Sequence, residues 1–375
     1  MNIIFVTIGF SPLQTSGLDI VGERLVRGLL AQKHQVTIIA GRQEKRPEIF
    51  DDPGLKIIRI PLGKTHWLGF GLRAAFVLNR LVKKQAVDIV HFWDVYFAWA
   101  YRKKFIGSLN HSFYQRIATS ANASHLKKLY YWLAMLLAER PAIRRASGLL
   151  AISDTSLQDY RKHYPIPESK SVLTRLGIDA KFFHPVSNTE NLRVALNIPP
   201  NAPVILYSGF FTPRKGLEYL AQAMQEIQPA PWLILTGKWD DATRSRFLAQ
   251  LGAARSRFIE AGFVPDDLMP SYFSMADLYV SPSLLEGFGL PLAEALACET
   301  PVVCADAGAA AEVVGPGGRL VPPGDASALA QAVSELLSAP EKRRALGKLG
   351  RNHIVENFSV ETMLQAYLDA YQKFR

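Results

Sequence analysis

Two glutamates eight residues apart, Glu286 and Glu294, flank a Gly-Phe-Gly triplet in the stretch SPSLLEGFGLPLAEALACETPVV at 281–303. A helical pattern starts near Leu290, which puts Gly287 and Gly289 in a loop where glycine permits a tight turn and close backbone approach. The N-terminus of the helix that follows gathers unsatisfied N–H groups and partial positive charge, an arrangement suited to a diphosphate. Glu286 then lies in the loop, and Glu294, about one turn into the helix, can accept hydrogen bonds from two ribose hydroxyls. The same pattern also fits an ordinary strand–loop–helix turn with surface glutamates. A second stretch, YSGFFTPRKGLEYL at 207–220, ends a strand at Ser208 and carries Arg214-Lys215-Gly216 ahead of a helix. Adjacent cations there can neutralise phosphate charge without a metal ion, or can simply form a solvated basic turn. No Asp-x-Asp triplet occurs in the chain, which fits metal-independent chemistry.

These loops need elements to hold them. Apolar runs at 2–8, 35–40, 56–60 and 87–92 alternate with helical periodicity at 22–31 and 70–84. The second half repeats the plan, with strands at 204–208, 232–236, 278–280, 301–304 and 319–321 and helices at 217–225, 243–251, 290–297, 326–337 and 341–356. Continuous Val/Ile runs separated by amphipathic helices are what parallel sheets covered on both faces require. Proline and polar residues cluster at 185–203, the natural linker. The pattern predicts a first domain over 1–185, a second over 186–358 and a last helix over 359–375 that crosses back to the first domain. Each α/β domain is doubly wound, with a cleft between them where the carboxyl ends of the strands bind ligands.

The chain has 375 residues, 49% of them hydrophobic and 20% charged, enough apolar material for two packed cores. Two cysteines, Cys298 and Cys304, can neither staple such a chain nor build a structural zinc site alone, so a reducing compartment is expected. The apolar start MNIIFVTIGF reads as a buried strand rather than a leader, and the longest apolar run is too short to span a bilayer. The net charge of +10 is uneven: residues 1–185 carry 27 Lys+Arg against 13 Asp+Glu, a net of +14, and residues 186–375 carry 16 against 20, a net of −4. A basic half suggests an anionic partner, or a lysine-rich surface that aids solubility. Phe70, Phe76, Val77 and Leu81 beside Arg73, Arg80, Lys83 and Lys84, with Lys127, Lys128, Tyr130, Tyr131 and Trp132 further on, fit an ordinary helix whose apolar side packs on the sheet, or an aromatic and basic face that lies on an anionic membrane surface. No nucleic-acid-binding module is present.

EGFGLPLAEALACETPVV together with SGFFTPRKG resembles the donor-binding signature of family-4 glycosyltransferases, retaining enzymes of the GT-B fold with two Rossmann-like domains facing each other across a cleft. Residues 149–185, 261–283, 311–314 and 318–321 carry further resemblances in the family's order. The resemblance implies transfer of a hexosyl unit from a nucleotide-diphosphate sugar, such as a UDP- or GDP-sugar, to a hydroxyl of a glycan or lipid-linked glycan, with no cofactor and no metal. It implies that Glu294 holds the ribose and Glu286 the donor sugar. The N–H groups of Gly287, Phe288, Gly289 and Leu290 would meet sugar and phosphate, with Gly209 beside them, and Arg214 and Lys215 would stabilise charge on the leaving group. Ser16 and Gly17 stand for the glycine-bearing loop after the first strand. A cytoplasmic location at the inner face of a membrane follows for such a lipid-linked acceptor.

The chain departs from the family in three places. Ser16 replaces a usual glycine. Phe210 stands where an arginine often follows the glycine at Gly209. The histidine often found in the fifth strand is matched to Ala118-Thr119-Ser120-Ala121-Asn122, where Asn122 can hydrogen-bond a sugar but cannot titrate. His91, at the end of the fourth strand, is either a structural histidine or a further candidate for the sugar or acceptor side. A nicotinamide-dependent oxidoreductase is excluded, because Gly17 and Gly22 lack the G-x-G-x-x-G spacing. A sugar phosphorylase would need a pyridoxal-phosphate lysine motif, and none is distinctive. A nucleotide-sugar epimerase on a related fold, or a sugar-nucleotide-binding protein without transferase activity, remain the alternatives.

Overall fold

Short Val/Ile/Leu runs buried on both faces pair side by side into two parallel sheets, and amphipathic helices return the chain between them. The computed structural model describes residues 1–10, 17–42, 52–63, 65–110, 112–118, 124–238 and 240–375. The chain divides into two units, residues 1–177 with 360–375, and residues 178–359. The break falls between Gly177 and Ile178 rather than at 185. Ile178 already belongs to the second unit: its N–H donates to the Phe358 carbonyl at 2.7 Å, and it forms a parallel bridge with Ser359.

The first unit holds seven strands: β1 (Asn2–Val6), β2 (Gln35–Gly41), β3 (Leu55–Ile60), β4 (Ile89–Phe92), β5 (Ile106–Leu109), β6 (Gly148–Ala151) and β7 (Ser171–Leu173), in the spatial order β3-β2-β1-β4-β5-β6-β7. Ile3 sits at the centre of the register, opposite Val36 on one side and Ile89 on the other. The helix Gly17–Ala31 buries Val21, Leu25, Val26 and Leu29, at the spacing that puts one stripe on the sheet. The helix His66–Lys84 buries Trp67, Phe70, Ala74, Ala75 and Leu78. The second unit holds β8 (Val204–Ser208), β9 (Trp232–Thr236), β10 (Phe258–Gly262), β11 (Leu278–Ser281), β12 (Val302–Ala305) and β13 (Gly318–Val321), in the order β10-β9-β8-β11-β12-β13. Two doubly wound α/β units are therefore present, as the sequence pattern predicts.

Strands β5, β6, β7 and β10 are additions to that pattern. One consequence is a correction: the fifth strand is Ile106–Leu109, and Phe113–Ala118 is a helix, so residues 118–122 do not close the fifth strand. The residue two places beyond β5 is His111, which lies outside the described residues, as does Asn122.

The last helix, Val360–Phe374, belongs to the first unit. It buries Met363, Leu364, Tyr367, Leu368, Tyr371 and Phe374. Two glycines admit it: a Cβ on Gly28 would come within 2.9 Å of Leu364, and one on Gly148 within 2.3 Å of the Phe374 ring. Its end is tied by the Arg375 guanidinium to Asp88 and by Lys104 Nζ, which donates to the Arg375 carbonyl at 2.7 Å.

Candidate functional site

In the second unit the connections of β8 and β11 leave in opposite directions, β8 towards β9 and β11 towards β12. Adjacent strands with diverging connections open a crevice at their carboxyl ends, the usual ligand position of such sheets. The loops at 209–216 and 282–289 both lie there. In the first, a single turn at Pro213–Lys215 ends on Gly216, whose φ of +63° lies in the left-handed region. A Cβ at Gly216 would also stand 2.3 Å from the Pro282 carbonyl oxygen, so glycine is required there twice over. The Leu284 N–H donates to the Arg214 carbonyl at 2.8 Å and joins the two loops.

This stitching brings Lys215 and Glu286 together. Lys215 Nζ donates to Glu286 Oε1 at 2.5 Å, and both side chains are largely enclosed. Glu286 is fixed from behind as well, since its carbonyl accepts the Ala309 N–H at 3.1 Å. Arg214, the residue before Lys215, is exposed. Its positive charge and the negative charge of Glu286 act in opposite directions on Tyr207. Burial is the larger influence and pushes the Tyr207 phenol up. Among the described residues, Tyr207 Oη and Thr236 Oγ1 are buried here without a partner.

Gly289, at φ +94°, opens the helix Leu290–Ala297. The N–H groups of Gly287, Phe288, Gly289 and Leu290 take no partner among the described residues, so the loop and the helix start present a run of free donors. Phe288 contributes only its backbone, because its ring is buried against Phe358 at 5.6 Å between centroids. Glu294 is half-buried one turn into the helix, and its charge adds to the upward push that burial gives Tyr279 and Cys298, the latter to about 12. Both cysteines are buried free thiols. Gly209 donates its N–H to the Thr236 carbonyl at 3.0 Å, which frees Phe210 to project outward, 63% exposed.

The first unit treats its candidates differently. Gly17 starts the helix that follows β1, while Ser16 lies outside the described residues. His91 is corrected. It is wholly buried in β4, with Nδ1 2.9 Å from the Tyr371 hydroxyl and Nε2 2.8 Å from Ser108 Oγ, and both nitrogens are used. Burial lowers its pKa to about 3, so the ring is neutral and serves packing rather than a sugar. Sequence reading missed that Lys215 and Glu286 would form an ion pair, since the two residues are 71 positions apart.

Comparison with known proteins bears on both units. Residues 188–353 match the family model described as glycosyl transferases group 1, and residues 15–182 match the model described as glycosyltransferase family 4. The MMP alpha-(1->4)-mannosyltransferase of Mycolicibacterium hassiacum is 28% identical over 248 residues, which cover 64% of this chain and 58% of that protein. Among solved structures, sucrose-phosphate synthase from Thermosynechococcus elongatus superposes with a TM-score of 0.81 at 24% identity, covering 99% of this chain and 98% of that one. Anabaena Alr3699/HepE in complex with UDP-glucose superposes with a TM-score of 0.75 at 19% identity, covering 98% of each chain.

Proposed function

From the premise that the chain belongs to the family-4 glycosyltransferases and has their GT-B fold, we propose that it moves a hexosyl unit from a nucleotide-diphosphate sugar to a hydroxyl of a glycan or lipid-linked glycan, with retention and without a metal. The observation that carries this reading is the convergence, at the β8/β11 crevice, of the Lys215–Glu286 pair, the exposed Arg214, the free N–H groups of 287–290 and Glu294. A diphosphate needs positive charge and N–H donors, and a ribose needs a carboxylate.

In this reading Glu286 holds the Lys215 ammonium in place before the donor arrives. An ammonium has three donors, so Lys215 keeps the bond to Glu286 and offers the others to phosphate oxygens. Arg214 closes on the same diphosphate, and the free N–H groups of 287–290 complete its neutralisation. Phe210 supplies no cation, which places that work on Arg214 and Lys215. Glu286 contacts sugar hydroxyls through its second oxygen, and Gly209 and Gly17 leave room for backbone N–H groups near the phosphates. As the bond from the anomeric carbon to the diphosphate oxygen breaks, the acceptor oxygen bonds to that carbon on the same face. The acceptor proton passes to the departing diphosphate.

The HepE complex with UDP-glucose supports a nucleotide sugar as the donor class. A peripheral contact with anionic membrane is supported by the surface of the first unit. Leu72 and Phe76 are exposed on the helix His66–Lys84, with Arg80 over the Phe76 ring at 4.1 Å, and Leu126, Leu129 and Trp132 are exposed on the helix His125–Ala134. No helix among the described residues is long and apolar enough to cross a membrane.

The test is thermal stabilisation by UDP, GDP, ADP and their sugar conjugates in the absence of added metal. A selective rise for one nucleotide is expected, because a ligand bound only by the folded protein raises its apparent stability. Glu294→Ala should reduce that rise by weakening donor binding about 10- to 100-fold, the loss expected for hydrogen bonds to a charged group. No rise with any nucleotide sinks the reading. Turnover of the donor without an acceptor would favour an epimerase.

A further inference from the structure

The amino ends of β4, β5 and β6 lie side by side in the first unit, opposite the carboxyl ends where such sheets usually take their ligands. A cavity of about 320 Å³ opens at these amino ends, large enough for a small ligand. Its floor is apolar, formed by Val87, Ile89, Tyr101, Phe105, Ile106 and Phe374, and all but Val87 are buried. Little on that floor can hydrogen-bond, since the Ser147 hydroxyl already donates to the Phe105 carbonyl at 2.8 Å. A nucleotide or a sugar needs polar partners on several sides, whereas a hydrocarbon chain gains by leaving water alone.

The rim is cationic. Lys103 and Lys104 line the cavity, and Lys83 and Lys84 fall between its lining residues Val82 and Gln85. The Lys373 ammonium stands 5.1 Å over the ring of Phe374. Arg145 donates from Nη1 to the Tyr101 carbonyl at 2.9 Å, and its pKa is lowered by burial and then by the charge of Arg102. Cations gathered in this way repel one another, and an anion relieves the repulsion. Asp88 is the one acid lining the cavity among the described residues, and it is already engaged. It accepts the Asn2 N–H at 2.8 Å and a bond from the Arg375 guanidinium. Lys104 gives one of its three donors to the Arg375 carbonyl at 2.7 Å. The side chains of Lys83, Lys84 and Lys103 make no hydrogen bond or ion pair among the described residues.

We propose that this cavity binds the alkyl chain of a single-chain anionic amphiphile, whose carboxylate or phosphate is held by Lys103 and Lys104. The ligand enters as a dissolved monomer. No residue of the β8/β11 crevice takes part, so the assignment stands or falls apart from the transferase reading. Isothermal titration of the full chain with octyl, nonyl and decyl phosphate, each below its micellar concentration, tests it. One equivalent should bind, about three- to fourfold more tightly for each added methylene. Decyltrimethylammonium and inorganic phosphate should each bind at least about tenfold more weakly than decyl phosphate. Lys103→Glu with Lys104→Glu should weaken decyl phosphate about 10- to 100-fold, because two attractions become repulsions. Ala86→Trp fills the mouth from an exposed position and should abolish binding; it decides the matter if circular dichroism shows the lysine variant misfolded. Phe76→Glu with Trp132→Glu should bind as wild type does. Equal affinity for the cationic amphiphile or for inorganic phosphate overturns the assignment. So does undiminished binding in folded Ala86→Trp, or a loss in the Phe76 and Trp132 variant, which would move the ligand to the exposed helix faces.

Discussion

At the residue scale, the buried polar groups make different demands. Lys215 and Glu286 hold each other at 2.5 Å, so removing the lysine leaves a nearly buried carboxylate without its partner. Lys215→Ala should cost about 1–3 kcal/mol of stability, the penalty of an unsatisfied buried group. It should slow transfer far more, about 10²–10³-fold, as loss of a charge-stabilising donor does. Initial rates beside a thermal melt check both, and an unchanged kcat would remove Lys215 from the reaction. His91 concerns folding alone. With its native pKa near 3 and an unfolded value near 6.5, the unfolded chain binds a proton that the native protein cannot. Its contribution is therefore complete above pH 6.5 and is lost as pH falls towards 3. Glu139 works the other way. It accepts the Phe113 N–H and the Tyr160 and Tyr164 hydroxyls, yet burial raises it to about 7, so its contribution is complete below about 4.5 and is lost as pH rises. Comparing wild type with His91→Leu cancels Glu139, which both proteins carry. Between pH 7 and pH 5, wild type should lose about 2 kcal/mol relative to the variant, by urea unfolding. A parallel pH dependence would mean that the ring protonates in the native state.

At the scale of elements, the terminal helix is the plainest case of a segment distant in sequence completing a core. Met363, Leu364, Tyr367, Leu368, Tyr371 and Phe374 are buried in the first unit, and Tyr371 caps His91. At about 1.5–3 kcal/mol for each large apolar side chain, their loss is on the order of a domain's whole stability. Truncation after Ser359 should leave the first unit unfolded or insoluble, read by near-ultraviolet circular dichroism. A truncated chain with native signal would show that the helix is dispensable. The helix was legible because its apolar residues recur at helical spacing over four turns. β5 (IGSL), β6 (GLLA) and β7 (SVL) were not, because three or four residues, in β5 and β6 all buried, are too few to show an alternation that sets them apart from a loop. Without β5 the fifth strand is placed to end at 118–122, whereas it ends at Leu109. The loop glutamates, the Arg-Lys pair and the glycines between them were legible because their chemistry is local. The contacts that make them a site depend on the order of strands, which spacing alone does not encode.

At the scale of the whole molecule, the charge asymmetry has a surface to act through. The half that carries the net charge of +14 includes the exposed Leu72, Phe76, Leu129 and Trp132, set among Arg73, Arg80, Lys83, Lys84, Lys127 and Lys128. Trp67, on the first of the two helices concerned, lies 6.3 Å from Tyr130 on the second, so both helices present their exposed residues on neighbouring parts of one unit. An ordinary solvated helix would keep such side chains polar, whereas an interface between water and lipid favours aromatic groups flanked by cations. Each cation near an anionic surface contributes about 1 kcal/mol, and that attraction is screened by salt while insertion of Phe76 and Trp132 is not. The protein should therefore sediment with phosphatidylglycerol vesicles at low salt, stay largely free of phosphatidylcholine vesicles, and dissociate only in part as salt rises. Phe76→Glu with Trp132→Glu should abolish the salt-resistant fraction while leaving nucleotide-induced stabilisation intact, because Lys215, Glu286 and Glu294, the proposed donor contacts, lie in the other unit. Equal sedimentation with both lipids would trace binding to the apolar residues alone. No sedimentation at low salt would leave the basic surface to serve solubility, and the acceptor would then be sought among soluble glycans.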